Sequence, residues 1–237
     1  SRADQRKAAS MAMLSDKDQK QIEEIFGTLT RTVTLRVYTQ KLNCPGCSET
    51  EQILTELASL SDLVEMEMLN PQVDTDRAEA DGIEVVPAIV VTDGSHSRAR
   101  FYGTPSGYEF SSLLTSIVDM GMEKPPIEEG TERFLQGLEE DLDVKVFVTP
   151  SCPYCPRAAV LGLRLAMASP RVNAAVIEAN EFPELSAKYS VQGVPRTVVN
   201  GKLYAEGALP EASLVKGLAD GLKAEGEADL VKLAGTE

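Results

Sequence analysis

The sequence predicts an α/β protein built from two tandem units, each with a central mixed β-sheet flanked by helices. Three observations support this fold class. Two Cys-x-x-Cys pairs lie 108 residues apart, the same order of strands and helices surrounds each pair, and a Val-Pro pair places its proline 43 residues after the first cysteine of each. Agreement of order and spacing at this period indicates that one folding unit is repeated.

The first unit is predicted to occupy residues 1–122. Ser15-x-x-Asp18 resembles a capping box ahead of an apolar helix. The β-branched, alternating stretch at 33–38 predicts a strand, and Cys44-Pro45-Gly46-Cys47 follows it. The other expected elements are a helix opened by this motif, a strand at 63–69, a helix at 73–81, strands at 85–91 and 98–103 joined by a hairpin, and a helix holding Phe110, Leu113, Leu114, Ile117 and Val118.

The second unit is predicted to occupy residues 123–237. A linker is expected at 121–130, where glycine, a Pro-Pro pair and charged residues occur together. The order then repeats around Cys152-Pro153-Tyr154-Cys155. The expected elements are a helix with Phe134, Leu135 and Leu138, a strand at 144–148, a helix opened by the motif, a strand at 172–178, a short helix at 182–189, a strand at 193–199, a hairpin at Asn200-Gly201, a segment at 203–209 and a helix with Leu214, Leu218 and Leu222.

The paired cysteines suit thiol–disulfide exchange, which needs a thiolate and a second thiol nearby. A cysteine at a helix N-terminus meets the positive end of the helix dipole, which favours the thiolate. Spacing of i, i+3 then brings the second sulfur close to the first. Cys44 and Cys152 are therefore the expected nucleophiles, and Cys47 and Cys155 the expected resolving cysteines.

A strand, a Cys-x-x-Cys at a helix start and a later Val-Pro before a strand together resemble the thioredoxin fold. CPYC at 152–155, after VKVFVTPS, is similar to a glutaredoxin active site. Two such thioredoxin-like units in one chain resemble the protein disulfide oxidoreductases of thermophilic archaea and bacteria. The resemblance implies an enzyme that reduces, oxidises and isomerises protein disulfides. It implies no bound organic cofactor and no metal.

The resemblance also implies roles beyond the cysteines. Pro87 and Pro195 would follow cis peptide bonds, so that Val86 and Val194 present their backbone to a substrate peptide. These four residues are the expected substrate-binding positions. The expected partners are protein disulfide and dithiol substrates, a flavoprotein similar to thioredoxin reductase, and a peroxiredoxin.

The two sites depart from thioredoxin, and they also differ from each other. The tryptophan before the first cysteine is replaced by Asn43 and Ser151, and the buried acid six positions earlier by Tyr38 and Val146. In addition, the second motif is followed by Arg157, and Arg196 follows the loop proline, whereas Lys41, Glu49 and Glu51 surround the first motif. Since cationic neighbours favour a thiolate, Cys152 is expected to be the more acidic nucleophile.

Three other interpretations remain open. Only the second pair could be catalytic, with the first unit relaying electrons or binding substrate. The chain could instead be a non-catalytic binding module, although such modules commonly lose cysteines. Lastly, four thiolates could form a structural zinc site, although the pairs lie much further apart in sequence than zinc ligands usually do.

Charge and hydropathy restrict the function classes. The net charge of −14 repels phosphate backbones, so a nucleic-acid partner is not expected. No apolar run reaches the length of a membrane span, and the first twenty residues lack the apolar centre of a secretory signal. A cytoplasmic protein without membrane contact is therefore expected.

Overall fold

The computed structural model describes residues 13–223 and 231–233, and in these residues it confirms the mixed α/β fold. In this part of the chain, nine strands form a single sheet. They are β1 (Val33–Tyr38), β2 (Val64–Leu69), β3 (Ala88–Thr92), β4 (Ala99–Tyr102), β5 (Leu142–Val148), β6 (Val172–Glu178), β7 (Arg196–Val199), β8 (Leu203–Glu206) and β9 (Val231–Lys232).

Eight helices lie between or beside these strands in the described residues. They are α1 (Asp16–Phe26), α2 (Cys47–Ala58), α3 (Thr75–Ala80), α4 (Tyr108–Met120), α5 (Glu129–Gln136), α6 (Cys155–Ala168), α7 (Pro183–Lys188) and α8 (Glu211–Lys223). The predicted capping box is confirmed at the start of α1, where the Ser15 side chain accepts from the Asp18 N–H. None of the helices among these residues is long and apolar enough to cross a membrane.

The strand order shows the repeat directly. It runs β2-β1-β3-β4 through the first half and β6-β5-β7-β8-β9 through the second. In each half, the strand before the cysteines pairs in parallel with the next strand in sequence and antiparallel with the strand after the Val-Pro pair. Both halves therefore have the same four-strand arrangement.

The two halves share one sheet, because β4 pairs in parallel with β6. Ion pairs reinforce this junction. Arg164 of α6 holds Asp119 of α4 through two hydrogen bonds, with Nε to Oδ2 at 2.6 Å. Lys145, which is 5% exposed, reaches Glu84 of the first half at 3.0 Å. The sheet and these contacts join the halves into one body.

Alternation along the strands divides the apolar side chains between the two sheet faces. Leu35 and Val37 of β1 join a large cluster that includes residues of α1, α2, α4, α5, α6 and α8. Tyr38 and Val90 belong to a smaller cluster with residues around α3 and α7. A fully buried side chain of this kind stabilises the fold by about 1.5–3 kcal/mol.

The structure differs from the sequence-based expectation in several places. Helices α2 and α6 begin at the second cysteine of each motif and not at the first, because the first three motif residues form a turn. Strand β9 was not expected, and α5 begins at Glu129, inside the predicted linker. The predicted boundary between residues 122 and 123 falls between α4 and α5, and it stays a prediction.

The hairpin between β7 and β8 allows a stability test. Asn200 has φ 52° and Gly201 has φ 67°, as in the two-residue turns that favour Asn-Gly. The Asn200 side chain also accepts from the Asp143 N–H at 2.8 Å. We expect Asn200→Ala to lower the free energy of unfolding by about 2 kcal/mol, since it places alanine at positive φ and loses this hydrogen bond.

Asn200→Gly separates the two causes. Glycine tolerates the positive φ and loses only the side-chain hydrogen bonds of Asn200, from the Asp143 N–H at 2.8 Å and to the Asp141 carbonyl at 3.4 Å, so it should cost about 1 kcal/mol. Urea unfolding of both variants gives the comparison. Equal losses in the two variants would show that backbone strain contributes nothing at this turn.

Candidate redox sites

Both cysteine pairs lie at the same end of the sheet, where β1 and β5 have their carboxyl ends. Each follows the carboxyl end of a strand, β1 for Cys44–Cys47 and β5 for Cys152–Cys155. Strands β1 and β5 run in the same direction, and β3, β4 and β6 lie between them. Four strand spacings separate their axes, roughly 19 Å. The two sites therefore lie at the same end of the sheet but are well separated from each other.

The turn that precedes each helix brings the two sulfurs together. Both pairs form disulfides with Cα atoms 5.4 Å apart, a normal span for the bond. In each turn the N–H of the second cysteine donates to the carbonyl of the first at 3.3 Å. The second cysteine is thus the first residue of the helix, and the first cysteine lies just outside its N-terminus.

Exposure differs between the cysteines of a pair. Cys44 is partly exposed and Cys152 is 9% exposed, while Cys47 is 3% exposed and Cys155 is fully buried. An incoming substrate sulfur can therefore reach the first cysteine of each pair more easily than the second. This order agrees with the predicted division into attacking and resolving cysteines, which stays a prediction.

The Val194-Pro195 segment lies beside the sulfurs of the second site, as expected. Both the Val86–Pro87 and the Val194–Pro195 peptide bonds are cis, which confirms that expectation. The Val194 carbonyl oxygen lies 3.9 Å from Cys152 Sγ. The carbonyls of Pro87 and Pro195 accept from Gly103 and Gly207, each at 2.9 Å. A substrate-binding role for Val86, Pro87, Val194 and Pro195 remains a proposal.

The charges around the sites are partly balanced by other residues. Arg196, expected beside Cys152, donates to Glu206 at 3.1 Å and stacks on the Tyr204 ring, with 3.9 Å between its guanidinium carbon and the ring centroid. Its charge is therefore already compensated. Arg157 is exposed on the first turn of α6. The Cys155 N–H donates to Cys152 Sγ at 3.2 Å, a contact that favours negative charge on this sulfur.

A buried glutamate lies next to the loop that carries Cys152. Glu109, in the first turn of α4, is 2% exposed, and among the described residues neither of its carboxyl oxygens has a partner within hydrogen-bond geometry, although Ser112 lies close by. Its neighbour Tyr108 donates its N–H to the Pro150 carbonyl at 2.9 Å. Burial, with a further contribution from the charge of Glu178, raises the pKa of Glu109 to about 7. Such a carboxyl can exchange a proton near neutral pH.

A second group of polar residues lies between the two sites. Glu181, which follows β6, accepts the Thr104 N–H at 2.7 Å. Its own N–H donates to Glu178 at 2.6 Å. The Thr104 hydroxyl lies 3.5 Å from the carbonyl of Gly46, the third residue of the first motif. Burial raises the pKa of Glu178. Glu181 of the second half thus contacts Thr104, which lies against the first site.

Four residues near the sites were not predicted from the sequence: Thr104, Glu109, Glu178 and Glu181. One signal could have revealed Glu109: it shares the inward face of α4 with Leu113, Ile117 and Met120, where a carboxylate is unusual. Glu181 gave no such signal, since it stands in a polar segment whose contact with Gly46 depends on the pairing of β4 with β6.

A shared zinc site is incompatible with this arrangement. The pairs follow strands whose axes are roughly 19 Å apart, whereas the sulfur ligands of one zinc ion each lie about 2.3 Å from the metal. The four cysteines cannot meet around one ion in this fold. The alternative of a single structural zinc bound by all four thiolates is therefore wrong.

Comparison with known proteins agrees with the fold. A thioredoxin domain model matches residues 142–220. The F component of alkyl hydroperoxide reductase from Escherichia coli (strain K12) is 24% identical over 211 residues, covering 84% of this chain and 38% of that protein. The corresponding component in Xanthomonas campestris pv. phaseoli is 25% identical, covering 72% of this chain and 30% of that protein. The chain thus spans about a third of the length of these curated relatives.

Solved structures match over more of their length. The NTD_N/C domain of alkylhydroperoxide reductase AhpF from Enterococcus faecalis (V583) aligns with a TM-score of 0.80 at 26% identity, covering 86% of this chain and 99% of that one. A protein disulfide oxidoreductase from Aeropyrum pernix K1 aligns with a TM-score of 0.82 at 23% identity, covering 93% and 99%; at this identity the likeness shows the fold alone. The chain thus has a thioredoxin-like fold that carries two Cys-x-x-Cys disulfides.

Proposed function

We propose that the chain transfers electron pairs between protein disulfides and dithiols, with Cys152–Cys155 as its main catalytic pair. The observation that carries the proposal is the disulfide at the start of α6. It joins a nearly buried sulfur, which faces the Val194 carbonyl and the Cys155 N–H, to a fully buried one. This arrangement supports Cys152 as the attacking cysteine and Cys155 as the resolving one.

The proposed reaction has two exchange steps. The Cys152 thiolate attacks one sulfur of a substrate disulfide, forming a mixed disulfide and releasing the other substrate sulfur as a thiolate. Cys155 then loses its proton and attacks Cys152 Sγ, which releases the second substrate thiolate. The products are a reduced substrate and an oxidised Cys152–Cys155 pair, and the reverse sequence oxidises a dithiol.

Glu109 is the proposed acceptor for the Cys155 proton. Cys155 is fully buried, so water has no direct access to its thiol. Glu109 is buried next to the Cys152 loop, and its pKa of about 7 lets it take up and release a proton near neutral pH. It would replace the buried acid that thioredoxin has where this chain has Val146.

The substrate would bind alongside the Val-Pro segments. Val86 and Val194 each precede a cis proline, in loops at the sheet edge where the sulfurs lie. A peptide that pairs with the backbone of Val194 would bring its disulfide to Cys152, as in strand addition. We propose Val86 and Pro87 in the same role for the Cys44–Cys47 pair.

The partners are proposed from the chemistry and from the relatives. An oxidised pair must be reduced again, and we propose a flavoprotein similar to thioredoxin reductase as the electron donor. Since the relatives include components of alkyl hydroperoxide reductases, a peroxiredoxin is a proposed acceptor besides protein disulfides. Catalysis by the second pair alone, with the first pair relaying electrons, is the second candidate.

Loss of both nucleophiles tests the function itself. We expect the variant Cys44→Ser/Cys152→Ser to lose all reduction of insulin by dithiothreitol above the uncatalysed rate, and all refolding of scrambled ribonuclease. Because serine is close to cysteine in size, the fold should persist, and circular dichroism would check this. Activity that survives in the folded double variant would refute the proposed mechanism.

A further inference from the structure

The third residue of each motif is the clearest difference between the two sites. Gly46 and Tyr154 both cap a helix, and their backbones are nearly the same, with φ −79° and ψ −12° for Gly46 and φ −94° and ψ −18° for Tyr154. Any residue can adopt this right-handed conformation. Glycine at position 46 is therefore not required by the backbone.

Lack of space for a side chain explains why residue 46 is a glycine. A Cβ on Gly46 would lie 2.5 Å from Thr104 Oγ1 and 2.7 Å from Glu181 Oε2, closer than real Cβ contacts allow. Tyr154, at the matching position of the second site, is 67% exposed. At its third position the first motif thus packs against residues that follow β4 and β6, while the second motif is exposed to solvent there.

Glu181 is held in this position by more than one contact. Its Oε1 accepts the Thr104 N–H at 2.7 Å, and its own N–H donates to the buried Glu178 carboxylate at 2.6 Å. These bonds fix the carboxylate against the N-terminus of α2, where Gly46 is the cap residue. The Glu181 carboxylate is therefore close to the positive end of the α2 dipole, which is the end that would stabilise a thiolate on Cys44.

We infer that Glu181, supplied by the second half of the chain, is a positioning residue of the Cys44–Cys47 site, and that its carboxylate makes Cys44 less acidic. A like charge nearby disfavours the thiolate. The inference rests on the proposed function in taking Cys44 as an attacking thiol. It also provides a cause for the expected difference in acidity between Cys44 and Cys152 that does not depend on Arg196.

Titration of the first pair alone tests the inference. In the background Cys152→Ser/Cys155→Ser, reduced protein would be titrated by the absorbance of the thiolate. We expect Glu181→Gln to lower the pH of half-ionisation of Cys44 by about half a unit, the effect of one charge roughly 6 Å away in a highly polar medium. Below that pH, alkylation of Cys44 by iodoacetamide should become about threefold faster. The amide oxygen of glutamine can still accept the Thr104 N–H, so the fold should be retained.

Two controls separate a local effect from a general one. Glu184→Gln removes the same charge from the exposed first turn of α7 and should leave the titration unchanged. Gly46→Ala should push the Glu181 carboxylate away, so that adding Glu181→Gln to it has less effect than in the parent. An unchanged titration in Glu181→Gln, or an equal shift in Glu184→Gln, would overturn the inference.

These measurements do not depend on turnover. If the chain failed to reduce insulin or refold ribonuclease, the proposed function would fall, while the titration would still decide the role of Glu181. Conversely, full catalytic activity with no shift in Glu181→Gln would overturn this inference alone.

Discussion

Replacing Cys152 with serine should reduce the rate of insulin reduction at least about 100-fold, because it removes the nucleophile of the main site. We expect Cys44→Ser to reduce the rate only a few-fold. The Cys152 thiolate is favoured by the Cys155 N–H at 3.2 Å, whereas the Glu181 carboxylate lies beside Gly46, two residues after Cys44. The measurement is the initial rate with dithiothreitol as electron donor.

The matching variant Cys155→Ser gives a direct view of the attack. Without its resolving partner, Cys152 should remain attached to the substrate, and mass spectrometry should detect a mixed disulfide at Cys152. The reverse result, in which Cys44→Ser loses the activity and Cys152→Ser keeps it, would assign catalysis to the first pair.

The second large effect is expected from Glu109→Gln, which should make the protein more stable but slower. The pKa of this carboxyl is about 7 in the folded protein and about 4.5 without burial. Below pH 4.5 the group is protonated in both states, and folding carries no penalty. Between pH 4.5 and 7 the unfolded chain ionises first, so stability falls, and above pH 7 the penalty is constant at about 3 kcal/mol.

Glutamine mimics the protonated carboxyl at every pH. The variant should therefore match the native protein at pH 4 and exceed its free energy of unfolding by up to about 3 kcal/mol at pH 8, as measured by urea unfolding. Loss of the proton acceptor should slow exchange by roughly 10- to 100-fold. The exposed Glu129→Gln serves as a control for loss of one charge. A stability difference that is constant from pH 4 to 8, with unchanged turnover, would contradict the role of Glu109.

The sequence predicted the repeated fold well, because the features that form each unit are local. Strand β1 matches its predicted range, and the positions of Pro87 and Pro195 follow directly from the spacing after the cysteines. Alternating apolar residues determine a strand and its buried face without knowledge of its neighbours. The cysteine pairs were equally accessible to this reasoning.

The relation between the two units could not be predicted in the same way. Strand β4 pairs with β6, but the alternation of apolar and polar residues in each strand does not specify which strand it pairs with. From the sequence alone Gly46 is an ordinary turn residue, because only the structure shows that Glu181 lies beside it. Likewise, the functional role proposed for Glu109 depends on its burial against the other half. The surroundings of each of these residues form only when β4 pairs with β6.

The continuous sheet also limits how electrons can move within one molecule. Strand pairing from β1 to β5 fixes the two disulfides on a stiff frame, so no hinge between the halves can close the distance of roughly 19 Å. Thiol–disulfide exchange requires sulfur atoms in direct contact. Any transfer from one cysteine pair to the other must therefore use a mobile carrier or a second molecule of the protein, and its rate will depend on concentration.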